Sequence, residues 1–158
     1  MQNKLFLLIA LLLFLSACTK ESEQTISENV NPIIGETPVI ELVSISTTSV
    51  QANADSIAFK ISYTDGDGDL GTADPDITSI ELIDNRDPEF FIFTYHLSPR
   101  TPEGSDLTIQ GELDIVLNNT ILVDDALTSE TTTFSIRLKD RAGNWSNVVE
   151  TEEVEVLP

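Results

Sequence analysis

The chain has one cysteine, one histidine, one tryptophan and one methionine in 158 residues, and only 8 basic residues against 27 acidic ones. A single cysteine cannot close a disulfide within the chain, and no second histidine exists to build a zinc centre. The formal net charge of −19 repels phosphate backbones and anionic headgroups, so it excludes nucleic-acid binding and favours solubility or cation binding. The lone histidine, His96, ends the segment Phe93-Thr94-Tyr95-His96-Leu97 and reads as a surface or satisfied side chain, not a catalytic base. Long apolar runs are missing too, except for one near the start.

That run extends unbroken from Leu5 to Leu15, after Lys4 and before Ser16-Ala17-Cys18. Eleven residues are too few for a bilayer span, which needs roughly 20. A charged start, a short apolar core and small residues describe a signal helix removed after export, over residues 1–17. Leu15-Ser16-Ala17-Cys18 resembles the lipobox of bacterial lipoproteins. The resemblance implies cleavage before Cys18, diacylation of its sulfur with palmitate-type chains, and acylation of the freed amine. The alternative is an ordinary secreted protein. Each buried CH₂ contributes about 0.8 kcal/mol, so several chains anchor a protein firmly where one binds marginally. Thr19, in place of Asp, implies sorting to the outer membrane by the enterobacterial rule. Lys20-Glu21-Ser22-Glu23 resembles the short charged tags that carry lipoproteins of Bacteroidota to the cell surface. The expected location is therefore lipid-anchored in the outer membrane and facing the cell surface, with a periplasm-facing orientation as the alternative.

Removing the signal also removes Lys4 and moves the net charge to −20. Residues 18–37 are expected to form the lipidated cysteine and a disordered tether, because Ser, Glu, Asn and Thr dominate and few large apolar groups oppose the ordering entropy. A flexible chain of that length spans on the order of 25 Å. Residues 38–158 are long enough for one domain with its own core.

Inside that domain the periodicity is that of strands. Ile57, Phe59, Ile61 and Tyr63 alternate with small or polar residues. Leu107, Ile109, Leu113, Ile115 and Leu117 share one parity, and so do Phe134, Ile136 and Leu138. Further candidate strands cover 39–46, 78–83, 90–97 and 147–156. About seven short strands punctuated by turn residues predict an all-β fold, a single antiparallel β-sandwich. Arg141-Ala142-Gly143-Asn144 reads as a tight hairpin. With Asp140, it resembles the Asp-x-Ala-Gly-Asn turn that joins the last two strands of bacterial immunoglobulin-like domains. That resemblance implies the disulfide-free branch of the architecture.

The densest chemical signal is Asp65-Gly66-Asp67-Gly68-Asp69-Leu70-Gly71, followed by Asp74 and Asp76. Five carboxylates fall within twelve residues without a Lys or Arg among them. Hard oxygen donors on a flexible loop suit Ca²⁺, which takes six to eight oxygens at about 2.3–2.6 Å. Alternating glycines would let backbone carbonyls turn toward a common centre. The spacing of Asp65, Asp67, Asp69 and Asp76 resembles positions 1, 3, 5 and 12 of a helix–loop–helix calcium site. It departs from that pattern at Leu70, at the terminal Asp, and in its flanking strands. The competing reading is a plain turn, with Leu70 in the core and the aspartates capping backbone N–H groups. The whole pattern, from the aspartate loop through Pro102-Glu103-Gly104 to the closing Asp-Arg-Ala-Gly-Asn-x-Ser-Asn, resembles uncharacterised lipoproteins of Bacteroidota. Asp55-Ser56-Ile57 resembles the O-glycosylation acceptor of those bacteria.

Three function classes remain. The first is a lipid-anchored binding or structural module of the envelope, non-catalytic, with calcium at the aspartate loop. The second is a surface glycan-binding module, for which Trp145 is the candidate platform; a buried Trp145 would favour the first class, an exposed one beside a second ring the second. Phe91, Phe93 and Tyr95 are assigned to the core by alternation. The third is a carboxylate-based hydrolase, which would need two acids at a defined separation in a cleft. Expected partners are the membrane, through the lipid, and an envelope protein or a glycan.

Overall fold

The computed structural model describes residues 35–158. The expected signal helix, Cys18 and most of the expected tether lie outside the described residues. The alternating segments form strands: β1 (Val39–Ile45), β2 (Ser49–Gln51), β3 (Ile57–Asp65), β4 (Ile80–Asp84), β5 (Ile92–Tyr95), β6 (Ile109–Leu117), β7 (Glu130–Thr132), β8 (Phe134–Leu138), β9 (Val149–Glu150) and β10 (Val154–Leu157). Among the described residues no helix is long and apolar enough to cross a membrane.

One layer has the order β1-β3-β6, antiparallel throughout. The other has the orders β5-β4-β8-β9 and β2-β10-β7. Only Thr133 separates β7 from β8, and residues 151–153 separate β9 from β10. Each of these pairs is one interrupted strand, and both orders therefore belong to one layer. Bridging them, and joining β1 to β2 across Ser46–Thr48, recovers the expected seven strands. The departure from a purely antiparallel sandwich is β2, which switches layers and pairs parallel with β10.

Phe59 of the first layer meets Phe134 of the second with ring centroids 5.1 Å apart. They lie within a single core that includes Ile40, Ile57, Ile61, Ile80, Leu82, Ile136, Leu138, Val154 and Val156. The strands that build it show the strict in-out alternation of half-buried sheets. Two local assignments need correction. The strand expected from Leu107 begins at Ile109, and Leu107 is 63% exposed, because residues 105–108 wrap the aspartate loop instead of pairing. Phe91 lies before β5, half-buried and edge-to-face with the exposed Phe90. Phe93 and Tyr95 do pack against the core.

Alternation also decides what sits at the strand ends. The inward parity of β3 runs Ile57, Phe59, Ile61, Tyr63 and then Asp65, so a carboxylate occupies the last inward position. The inward parity of β4 likewise ends on Asp84. That of β8 continues through Leu138 to Asp140, which is 4% exposed. Register places Asp65 and Asp140 at one pole of the sandwich and Asp84, opposite Phe134, at the other. The chain enters β1 at the first of these poles, where Val39 pairs with Thr64 and the Gly66 N–H donates to the Gly35 carbonyl at 3.0 Å.

Candidate metal centre

Beyond β3 the chain turns sharply through Gly66–Gly71. Gly68 and Gly71 have φ of +71° and +77°, and a side chain at either would collide with the backbone of Leu107 or Ser98. Both the backbone conformation and the close approach therefore demand glycine there. Leu70 is fully buried and bridges to Asp140, pinning the loop to the β8–β9 hairpin. Neighbouring segments complete the fixing: Thr101 Oγ1 donates to the Gly68 carbonyl at 2.5 Å, Arg100 N to Leu70 O at 3.0 Å, and Leu107 N to Asp67 O at 3.3 Å. Thr108 Oγ1 donates to Gly66 O at 2.9 Å and Arg141 N to Asp69 O at 3.2 Å. The carbonyls of residues 66–70, expected to turn toward a common centre, thus all accept hydrogen bonds from elsewhere in the chain.

The oxygens left without partners are carboxylate ones. Asp65, Asp67 and Asp69 each place one oxygen within 4.8 Å of the others. Both oxygens of Asp65, with Oδ1 of Asp67 and Oδ1 of Asp69, are buried and accept no hydrogen bond. Asp65 itself is 0% exposed. Ligands on opposite sides of a calcium ion lie about 4.6–5.2 Å apart, so the spacing fits a metal ion at the centre of the group. These three aspartates could hold a metal ion. Asp74 and Asp76 stand outside the group, exposed, where Asp74 Oδ1 accepts the Asp76 N–H at 3.0 Å.

The electrostatics agree with the geometry. Burial, and after it the charges of Asp67, Asp69 and Asp140, push the Asp65 carboxyl up to about 6. The Asp69 N–H offsets this in part but forms no hydrogen bond to either oxygen. Burial and Asp140 also raise the Asp69 carboxyl, against a partial offset from the Ala142 N–H, which donates to Oδ2 at 2.9 Å. Among the described residues, none of these four carboxylates forms a salt bridge. Arg141, whose charge bears on Asp69, turns its guanidinium toward Gly71 O, Thr101 O and Thr101 Oγ1, each at 3.4 Å. Turn chemistry accounts for the buried Leu70, for Asp74, and for one oxygen of Asp69. It leaves the four buried, unpartnered oxygens unexplained.

Sequence reasoning missed Asp140 as part of this neighbourhood. The signal was present, since Asp140 continues the inward parity of Phe134, Ile136 and Leu138. The remaining candidates lie elsewhere. Trp145 is half-buried on the outer face of β8, with the Arg137 guanidinium 4.1 Å and Lys139 Nζ 5.1 Å from its ring centroid. Among the described residues no second aromatic ring stacks on it. His96 Nδ1 lies 3.1 Å from the Ile77 carbonyl, a satisfied contact. Ser56 is exposed on the approach to β3. No family model matches the chain, and neither does any curated protein or solved structure.

Proposed function

We propose that the chain is a non-catalytic module of the cell envelope, anchored in the outer membrane through a lipid on Cys18, facing the cell surface, and binding Ca²⁺ at Asp65, Asp67 and Asp69. The observation that carries the calcium reading is Asp65, a fully buried carboxylate whose two oxygens have no partner and face two further carboxylates. A buried charge is costly unless paired, and a hard divalent cation is the partner that an all-oxygen, uncompensated cluster suits. Two features support a binding or structural role over a glycan platform. Trp145 is half-buried beneath two cations, and it lacks the second ring that a sugar-stacking surface would use. The partner on this reading is another envelope protein, with β6 as a nine-residue edge strand open to strand addition.

Calorimetric titration with CaCl₂, paired with thermal melts in millimolar Ca²⁺ and in EDTA, tests the reading. Binding in the range of extracellular calcium modules, with Kd on the order of 10⁻⁴–10⁻³ M or tighter, and a higher Tm in Ca²⁺ are expected. A melting temperature indifferent to Ca²⁺ would sink it. The anchor is tested separately: Cys18→Ser should abolish incorporation of labelled palmitate and release the protein from the membrane fraction.

A further inference from the structure

The backbone of the β8–β9 hairpin, residues 139–145, touches the aspartate loop at three points. Leu70 bridges Asp140, Arg141 N donates to the Asp69 carbonyl at 3.2 Å, and Ala142 N donates to Asp69 Oδ2 at 2.9 Å. The last contact holds one oxygen of Asp69 and leaves the other, Oδ1, buried and unpartnered beside Asp65 and Asp67. The hairpin therefore aims a ligand of the cluster.

Asp140 is the buried acid of this hairpin. Asn144 fixes its carboxylate at both oxygens: the Asn144 N–H donates to Oδ1 at 2.7 Å and Nδ2 donates to Oδ2 at 2.9 Å. Its hydrogen bonds are satisfied, but its charge is not, because no Lys or Arg forms a salt bridge with it among the described residues. That charge bears on both Asp65 and Asp69, whose carboxyls it disfavours in their ionised forms.

We propose that Asp140 is a fourth acid beside the cation site, a positioning residue oriented by Asn144, and that an ion held by Asp65, Asp67 and Asp69 ties the hairpin to the aspartate loop. The inference rests on the calcium reading and deepens it. Four acids with no paired base make a site for a hard cation of charge two or more. The geometry assigns Asp140 two effects: it strengthens the field at the ion and, through the hairpin, orients Asp69. Outer-shell partners of this kind typically contribute 10–100-fold to metal affinity.

The test is calcium titration of the exported protein and its Asp140→Asn variant, with Asp74→Asn as the exposed-acid reference. Asp140→Asn is expected to weaken Ca²⁺ binding at least about 10-fold and to shrink the Ca²⁺-induced rise in Tm, while Asp74→Asn leaves both near wild type. The melt of the Asp140→Asn variant in EDTA reports a structural defect separately, because no bound ion contributes there. Hydrogen exchange of the wild type provides a second measurement that needs no variant to fold. Amides of residues 139–145 should slow on adding Ca²⁺, together with those of residues 66–71. Wild-type binding with Asp140→Asn affinity within twofold, or with hairpin exchange unchanged, overturns the role of Asp140 and leaves the calcium reading standing. Absence of any Ca²⁺ binding to the wild type removes both.

Discussion

The two poles of the sandwich face the same physical problem and resolve it differently. At one, Asp84 ends the inward row of β4; at the other, Asp65 ends that of β3. Arg86 reaches Asp84 through Nε and Nη2, and Thr132 Oγ1 donates to it at 2.5 Å. The same guanidinium reaches Glu130 through Nη1, and Glu130 also accepts the N–H groups of Val123 and Asp124. Every buried charge there has an opposite charge and directed hydrogen bonds. Asp65 has neither. A sandwich can bury a carboxylate at a strand end when the chain supplies the cation; where it does not, the group is left to a proton or, on the reading proposed above, to a cation from solution.

The largest expected effect breaks the self-sufficient pole. Arg86→Met strands Asp84 and Glu130 as buried acids, and removal of one partner of a buried pair costs about 3–5 kcal/mol. Chemical denaturation should show that loss in Ca²⁺ and in EDTA alike, since the cluster at Asp65 lies at the opposite pole. A loss confined to EDTA would mean that the two poles are coupled. The next effect concerns the other pole. At a free Ca²⁺ concentration of 100 Kd the ion should add about 2.7 kcal/mol of stability. Asp65→Asn should abolish that increment while leaving the protein in EDTA at least as stable as wild type, because it removes a buried uncompensated charge.

Acid sharpens the comparison because the poles titrate in opposite senses. Asp65 protonates at about 6, against 3.8 for an ordinary aspartate, so between those values the folded chain holds a proton that the unfolded chain has lost. By linkage, stability of the ion-free protein falls as pH rises through that window and levels off above it. Burial alone would raise the Glu130 carboxyl, but the Val123 and Asp124 N–H groups and Arg86 outweigh it and hold the group below its usual 4.5. Its contribution is present above 4.5 and is lost as pH falls through the folded value. Melts in EDTA should therefore lose stability as pH rises from about 4.5 to about 6 and level off above it, and Ca²⁺ should offset that fall toward neutral pH. An EDTA curve that keeps climbing to neutral pH would remove the distinction between the poles.

Much of this contrast was legible in the sequence, and the remainder depended on contacts that sequence spacing does not encode. Strict alternation located β3 and β8, and the density of acids picked out Asp65, Asp67 and Asp69. The same alternation, carried one step beyond the last apolar residue, would also have placed Asp84 and Asp140 inside. Asp140 also opens the turn Arg141–Asn144, a position where an aspartate is ordinarily solvated. Spacing alone could not separate Asp74 and Asp76 from the cluster, because the positive φ at Gly71 redirects the chain after Leu70. Nor could it show that the loop carbonyls are already engaged, since their donors come from residues 100–108 and 141. The parallel pairing of β2 with β10 depends on a layer switch in the short segment Ser46–Thr48, which carries no apolar pattern.

The smallest expected effect concerns Trp145, which sits on the stem of the hairpin that carries Asp140, bridged to Lys139. Its ring packs on the outer face with Arg137 and Lys139, whereas the carboxylates face inward. Cation–π contacts at partly exposed sites contribute about 0.5–1 kcal/mol. Trp145→Ala should therefore cost on the order of 1 kcal/mol in Ca²⁺ and in EDTA equally, and leave the Ca²⁺-induced shift intact. If that shift shrank with the ring, the outer stem of the hairpin would be setting the geometry of the ion site. The contrast between the poles would then rest on the packing of one hairpin as much as on the missing cation.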